Sequence, residues 1–372
     1  MHDQASEQRT GQIVAVIPAH DEQDQIVATI RSLRDQTRPP DRIIIAADNC
    51  TDDTVSLARS EGVEVIETVE NTHKKAGALN QVLEALLPDM EAHGGVLIMD
   101  ADTVMSPRFV AVAAGHLDGT RSVRSRDRRT GRPIGGVGGL FIAKPDGRPN
   151  LVRTLQRNEY ARYCTEVSSK GGRASVLTGT GTLFSVAALR SVWEARSAGR
   201  LPGGTSIYDV WSLTEDNEMT LAIKHLGYRC VSPASCVVET DIMATWPELW
   251  RQRLRWQRGA LDNLRHYGWT SVTRRYALKQ AAMYLGGVFS LLYVTLLLTT
   301  LVLFGGIEVN VFWTSLTLIF VAEKLVTIWP RSTWGQRAVA ASLLPELAYD
   351  AFQWTVYLKA GAMSLRRTNQ SW

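Results

Sequence analysis

The chain has 372 residues, 45% hydrophobic and 21% charged, with a formal net charge of +4, a length with room for two or three folded units. So mild a charge excludes a nucleic-acid binder built on a basic face and leaves contact with anionic lipid open. The four cysteines (Cys50, Cys164, Cys230 and Cys236) form no CxxC pair and stand among no histidines, which excludes a zinc site or disulfide framework and fits a reducing compartment.

The opening, MHDQASEQRTGQ, is polar, and the apolar run 13–17 behind it is too short for the core of a signal peptide, so the N-terminus is expected in the cytoplasm. That run reads as a strand buried on both faces. A helix pattern covers 24–36 and stops before Pro39-Pro40, and 43–47 is a second strand. A helix over 51–60 closes at Gly62, a third strand covers 63–66, a helix over 76–87 ends at Pro88, and a fourth strand covers 96–99, each stop being a usual helix terminator. This alternation predicts a parallel sheet covered on both sides, the doubly wound nucleotide-binding class of α/β folds. Ligands in such sheets bind beyond the carboxyl ends of the strands, and His20-Asp21-Glu22, Asp48-Asn49, Asp100 and Asp102 collect there.

Six arginines between Arg121 and Arg132 read either as a solvated loop or as a contact with lipid head groups. From 135 to 240 short apolar runs alternate with glycine-rich turns, as expected for the second half of one domain whose irregular loops shape an acceptor site. Residues 243–264 carry Trp246, Trp250 and Trp256 among many arginines, a pattern suited to a helix lying in a membrane interface.

No charged residue occurs between Lys279 and Glu308; as a helix this stretch extends roughly 42 Å, more than the ~30 Å hydrocarbon core. Further apolar segments cover 311–329, with Glu323-Lys324 inside it, and 339–363, with Pro345, Glu346 and Asp350. Arg274, Arg275 and Lys279 before the first segment, and Arg331 and Arg337 after the second, place both ends in the cytoplasm. A third span would carry Arg366 and Arg367 outside, so the third segment either spans against that tendency or lies partly in the interface. Glu346 and Asp350, four apart, share a helix face and are expected to meet protein rather than lipid. The expected organisation is a cytosolic domain over 1–240, an amphipathic interfacial region over 241–275, and a membrane region over 276–372 with two or three helices.

Three short patterns carry chemistry. Asp100-Ala101-Asp102 puts two carboxylates at the end of a buried strand, where they suit a hard cation, Mg²⁺ or Mn²⁺, although Asp-x-Asp also arises by chance there. Thr214-Glu215-Asp216 reads as an N-cap with acids in the first helical turn, and the same helix start would present a carboxylate to a cleft. Gln252-Arg253-Leu254-Arg255-Trp256 reads either as a membrane-surface helix or as a guanidinium grip on a diphosphate beside an apolar wall.

In this order, and followed by apolar helices, the three resemble the motifs of the membrane-integrated branch of family-2 glycosyltransferases. That branch includes cellulose, chitin and hyaluronan synthases and the chitooligosaccharide synthases. The likeness extends to Val16-Ile17-Pro18-Ala19-His20-Asp21-Glu22, where His20 and Asp21 depart from the commonest residues, to 48–54 and to His73-Lys74-Lys75-Ala76-Gly77-Ala78-Leu79-Asn80. It covers roughly 12–265, and the membrane part in kind only. It implies a GT-A type, Rossmann-like nucleotide-sugar domain followed by an interfacial helix and transmembrane helices, placed at the cytoplasmic face of the cell membrane. By position, Ala19, Glu22 and Asp48 would meet the uracil and ribose of a UDP-sugar, with Lys75 near the nucleotide. Asp100 and Asp102 would hold the diphosphate and Mg²⁺ or Mn²⁺. Asp216 would be the general base of a single inverting displacement. Gln252, Arg255 and Trp256 would close over diphosphate and acceptor, with Glu215 and the loop at Gly179 and Thr180 on the acceptor side.

The expected acceptor is lipid-linked or otherwise presented by the membrane, since two or three helices are few for a product channel unless subunits associate. Processive polymer synthesis is the alternative, and a non-catalytic scaffold of the same fold a more distant one. A nucleotidyltransferase of the pyrophosphorylase type would need a glycine-rich, basic loop after the first strand, which 18–24 lacks.

Overall fold

The computed structural model describes residues 11–120, 131–145, 150–304 and 311–366. Two compact units are present, Met1–Lys144 with Val167–Asp241, and Pro145–Glu166 with Ile242–Trp372. Most of the arginine-rich segment lies outside the described residues.

The first unit opens with β1 (Ile13–Ala19), α1 (Ile26–Arg34), β2 (Arg42–Ala47), α2 (Thr54–Ser60), β3 (Glu64–Glu67), α3 (Lys74–Leu86) and β4 (Gly95–Ile98). Every residue of β1 is buried, as its unbroken apolar run requires of a strand covered on both faces. In α1 the apolar positions Ile26, Ile30 and Leu33 recur at helical spacing and are fully buried; each contributes about 1.5–3 kcal/mol over exposure. β1 pairs in parallel with β2, Ala19 opposite Ala47, and with β4, Val16 opposite Ile98. The carboxyl ends of the three strands therefore emerge together.

The rest of the unit comprises β5 (Val104–Met105), α4 (Phe109–Leu117), β6 (Ile134–Gly138), β7 (Leu140–Ala143), β8 (Thr182–Ser185), α6 (Val186–Ser197), α7 (Glu215–His225), β9 (Arg229–Val231) and β10 (Val237–Thr240). The main sheet runs β3-β2-β1-β4-β8-β6-β9. The four strands predicted from the first hundred residues pair in parallel as expected, and the sheet becomes mixed beyond them, because β8 is antiparallel to both β4 and β6. β8 is entered through the glycine turn 178–181 rather than from a crossover helix laid over the sheet, and only such a crossover makes neighbours parallel. A small second sheet, β5-β10-β7, stands beside the main one. Ile17, Leu97, Phe109, Val137, Leu183 and Val238 belong to one apolar core.

The second unit is helical. It takes residues 151–166 of α5 (Leu151–Ser169), then α8 (Trp246–Tyr267), α9 (Thr273–Phe304), α10 (Val311–Ile328), α11 (Trp334–Ala341) and α12 (Leu344–Arg366). A capping box between Thr245 and Glu248 starts α8, satisfying two N–H groups that a helix start otherwise leaves unpaired. Its buried side carries Leu249, Leu254 and Gln257, while Arg251, Arg255 and Arg265 are exposed. The apolar segment 339–363 is not one helix: α11 ends before Leu343, whose φ of 49° is left-handed, and α12 restarts with Pro345 in its first turn, where proline is tolerated. Among the described residues one helix segment, Thr273–Thr300, is long and apolar enough to cross a membrane.

Candidate active site

Three loops at the ends of β1, β2 and β4 build one wall of the site. Asp21 and Asn49 hold φ of 53° and 50°, a backbone region non-glycine residues enter mainly where surroundings enforce it. The enforcement is visible: Asp21 Oδ1 accepts from the N–H of Thr51 at 2.6 Å, and His20 Nδ1 lies 2.6 Å from the Asp48 carbonyl. Asp21, Cys50 and Asp52 form a metal-like trio, but Asp21 is spent on the Thr51 and Asp52 amides and Cys50 contacts the Ala19 carbonyl. The trio reads as a clasp between loops.

Asp48, 7% exposed, accepts three hydrogen bonds on Oδ1, from Asn71 at 2.7 Å, Thr68 at 2.9 Å and Asn49 at 3.0 Å. Ala19 is buried, and its carbonyl takes the Asp48 N–H at 2.8 Å. Both are fixed points of the loop frame.

Lys75 stands in the first turn of α3 and joins two of the sequence motifs. Its Nζ is 2.5 Å from Asp100 Oδ1 and 2.9 Å from Glu215 Oε1. Burial pushes the ammonium pKa down, but these two carboxylates outweigh it and hold Lys75 well above its ordinary value. Gly179 closes over the pair, since a Cβ there would lie 2.9 Å from Lys75 Nζ. Its N–H donates to Asp216 Oδ2 at 3.1 Å, while the Asn217 N–H donates to Asp216 Oδ1 at 2.7 Å. Burial, then the charge of Glu215, push Asp216 up to about 6. Thr214 holds the N-cap position of α7 without a side-chain cap bond, so the simple capping reading does not describe it. Thr180 contacts Thr178 through their hydroxyls at 2.9 Å.

A small cavity is lined by Lys75, Thr178, Gly179, Tyr208, Glu215 and Asp216, among others. Tyr208 was missed by the sequence reading; its backbone N–H and C=O are both held by Asn80, at 2.7 and 2.9 Å. Only its proximity to 214–216 could have drawn attention to it. Lys144 and Asp241 were missed too, because they follow β7 and β10 far apart in the chain; their charged groups lie 3.3 Å apart, and Gln25 bonds both.

The end of β4 suits a divalent cation. Glu22 is pushed up to about 7 by burial and then by Asp102, Asp100 and Asp241, and Asp102 is raised by burial and then by Asp100 and Asp241. Acids that hinder one another's ionisation are relieved by a cation. Asp100 and Asp102 supply two carboxylates, so a cation held by them would keep positions for phosphate oxygens.

Gln252, Arg255 and Trp256 lie on α8 in the second unit. Gln252 Oε1 is enclosed and, among the described residues, has no hydrogen-bond partner, and a buried acceptor of this kind calls for a donor. Arg255 is exposed. The neighbouring Arg253, 5% exposed, pairs with Glu159 at 2.9 Å and lies 4.4 Å from the Trp256 ring. It is a support that the motif's spacing did not single out.

A family model described as glycosyltransferase-like family 2 matches residues 11–259. The probable glycosyltransferase YdaM of Bacillus subtilis (strain 168) is 30% identical over 261 residues, 66% of this chain and 54% of that protein. The poly-beta-1,6-N-acetyl-D-glucosamine synthase of Staphylococcus epidermidis is 22% identical over 264 residues, 69% of this chain and 56% of that protein. The chain thus spans just over half the length of these curated relatives. Among solved structures, the mannosyltransferase PcManGT from Pyrobaculum calidifontis, in complex with GDP-Man and Mn²⁺, matches with a TM-score of 0.57 at 16% identity, over 97% of this chain and 89% of that one. That likeness is one of fold, a GT-A-like α/β domain with a mixed sheet.

Proposed function

The chain belongs to the family-2 glycosyltransferases, and from that premise we propose that it transfers a sugar with inversion from a UDP-sugar to a lipid-linked or other membrane-presented acceptor. The reaction would take place at the cytoplasmic face of a membrane. The observation that carries this reading is the meeting of Lys75, Gly179, Glu215 and Asp216 around one cavity, with Asp100 bonded to the Lys75 ammonium. Asp216, with a pKa of about 6, is ionised at neutral pH and basic enough to accept a proton. It takes the proton of the acceptor hydroxyl as that oxygen bonds to the anomeric carbon, on the face opposite the diphosphate. The bond from that carbon to the diphosphate oxygen breaks, and UDP carries the electron pair away. Asp100 and Asp102 would hold Mg²⁺ or Mn²⁺, which supplies charge compensation for the departing diphosphate. Gln252, Arg255 and Trp256 serve diphosphate and acceptor, Glu22, Asp48 and Ala19 the nucleoside, and Glu215 and Thr180 the acceptor side. In this reading 1–240 supplies catalysis, 241–275 the interfacial helix and 276–372 the membrane attachment.

Processive synthesis is a second reading, favoured by the relatives named as poly-beta-1,6-N-acetyl-D-glucosamine synthases. UDP release from a panel of UDP-sugars, with and without Mn²⁺ and membrane lipid extract, separates the two. Metal-dependent release stimulated by lipid is the expected result. Release without lipid, with size-laddered product, would establish the polymerase instead, and no release from any UDP-sugar would overturn the donor assignment.

A further inference from the structure

We propose that α9 and α10 form a two-span membrane hairpin, and that α12 is not a span but lies with α8 at the surface on the side where the hairpin begins and ends. This rests on the membrane reading above and settles what the sequence left open, the number of spans and the side of the C-terminal helix.

The case starts from α12. It runs parallel to α8 along almost the whole of both helices: Trp246 meets Phe352 at 5.0 Å and Trp250 meets Phe352 at 5.8 Å. Leu254 packs with Val356 and Ala360, and Arg265 donates to the Ser364 carbonyl at 3.0 Å. A helix so paired cannot cross a bilayer alone. It would take α8 with it, and Arg251, Arg255 and Arg265 stand exposed on α8, where the membrane centre is least tolerant.

The root of the hairpin is tied to the same helices. Gln280 and Tyr284 of α9 bond Gln257 of α8 and the Tyr357 carbonyl of α12, at 2.7 and 2.8 Å, and Gly287 lies against Trp354. At the other end, Thr165 of α5 donates to the Thr327 carbonyl of α10 at 2.7 Å. Lys324 reaches Glu346 at 3.4 Å and Asp350 at 3.3 Å, and Arg162 reaches Glu346 at 3.2 Å. Lys324 of α10, Glu346 and Asp350 of α12 and Arg162 of α5 are thus paired at the root. Beyond it the helices present Phe289, Leu292, Leu296, Leu298 and Val302 on α9, and Leu318 and Ile319 on α10, all exposed. Tyr293 and Thr317 join the two arms at 3.0 Å.

The occupant of this apolar surface is a lipid bilayer. α9 has 32 residues and α10 has 18, roughly 48 and 27 Å of helix; the part of α10 beyond the root at Lys324 is about 20 Å long, short for a ~30 Å hydrocarbon core and accommodated by local thinning of the bilayer. Trp269, Trp329 and Trp334, exposed by 72%, 51% and 75%, ring the root as an interfacial belt, with Arg274 and Arg275 beside it.

The test is single-cysteine labelling of the full chain, with Cys50, Cys164, Cys230 and Cys236 replaced by alanine, in intact cells with a membrane-impermeant maleimide, using Val311→Cys at the start of α10 and Leu365→Cys near the end of α12. Both positions are exposed, and retained UDP release certifies folding. The expected result is labelling of Val311→Cys in intact cells and of Leu365→Cys only after permeabilisation. Labelling of Leu365→Cys from outside would make α12 a span, and protection of Val311→Cys until permeabilisation would mean that the hairpin does not cross. Either overturns the proposal. Recovery of the protein as a soluble oligomer after an alkaline wash would overturn the membrane reading itself, an outcome distinct from both.

Discussion

Asp216 follows Glu215 in the first turn of α7 and shares with it the reach of Lys75. The ammonium therefore works in two directions, neutralising Asp100 in the strand loop and lowering the proton affinity that burial and Glu215 give Asp216. Sugar transfer is expected to fall about tenfold per pH unit below about 6, where the base is protonated before the acceptor arrives. Lys75→Met removes the charge that lowers Asp216, so the acid limb of kcat against pH should move upward; an unmoved limb would separate Lys75 from the base. The same variant should lose about 1.5–3 kcal/mol of stability, since charged hydrogen bonds to two partly exposed carboxylates disappear, a loss that denaturant titration reads directly. Asp100 was legible because a charged group at the end of a buried strand has few structural reasons to be there, whereas the roles of Lys75, Glu215 and Asp216, at helix starts, came from the order of the family's motifs. The bond from Lys75 to both motifs was not legible, because it depends on how far α3 advances toward α7.

A buried ion pair in the first unit and a small ion-pair network in the second show what elements need in order to hold such residues still. Arg196 of α6 and Glu218 of α7 are both fully buried and paired, so the helix that presents Asp216 is pinned one turn beyond its start. Arg196→Met should cost about 3–5 kcal/mol, seen as a large fall in Tm, whereas a change under 1 kcal/mol would mean that α7 is held by packing alone. In the helical unit the expectation that Glu346 and Asp350 face protein is met by Arg162 and Lys324. Their spacing of four was sufficient signal, since a shared face of two acids has to be answered by cations when it is buried. The continuous third segment was misread because Leu343 adopts a left-handed φ of 49°, a break whose local sign was Pro345 in the first turn of α12. The pairing of α12 with α8 was invisible for a different reason, being a contact across about a hundred residues of sequence. Its weight is considerable: carrying α8 across a bilayer would cost about 2.5–3.5 kcal/mol for whichever exposed arginine came to the centre, and less for those nearer the interfaces.

At the scale of the molecule, the first hundred residues were readable almost element by element, since β1 and β4 are unbroken apolar runs and a glycine or proline follows each helix within a few residues. Beyond β4 that legibility declines: β8 and β6 are short and separated by long excursions, and their direction is set by which edge the returning chain can reach. Chelation by EDTA should abolish UDP release while leaving Tm nearly unchanged, because Asp100 already has Lys75 as a counter-charge in the folded chain. A large fall in Tm would instead make the cation structural. The central claim is that Asp216 removes the acceptor proton without holding the nucleotide. It is tested most directly by Asp216→Asn, measured for sugar transfer and for UDP affinity by calorimetry on the same preparation. Transfer reduced by about 10²–10⁴-fold with UDP affinity unchanged is the predicted result; normal transfer, or transfer and affinity lost together, would contradict it.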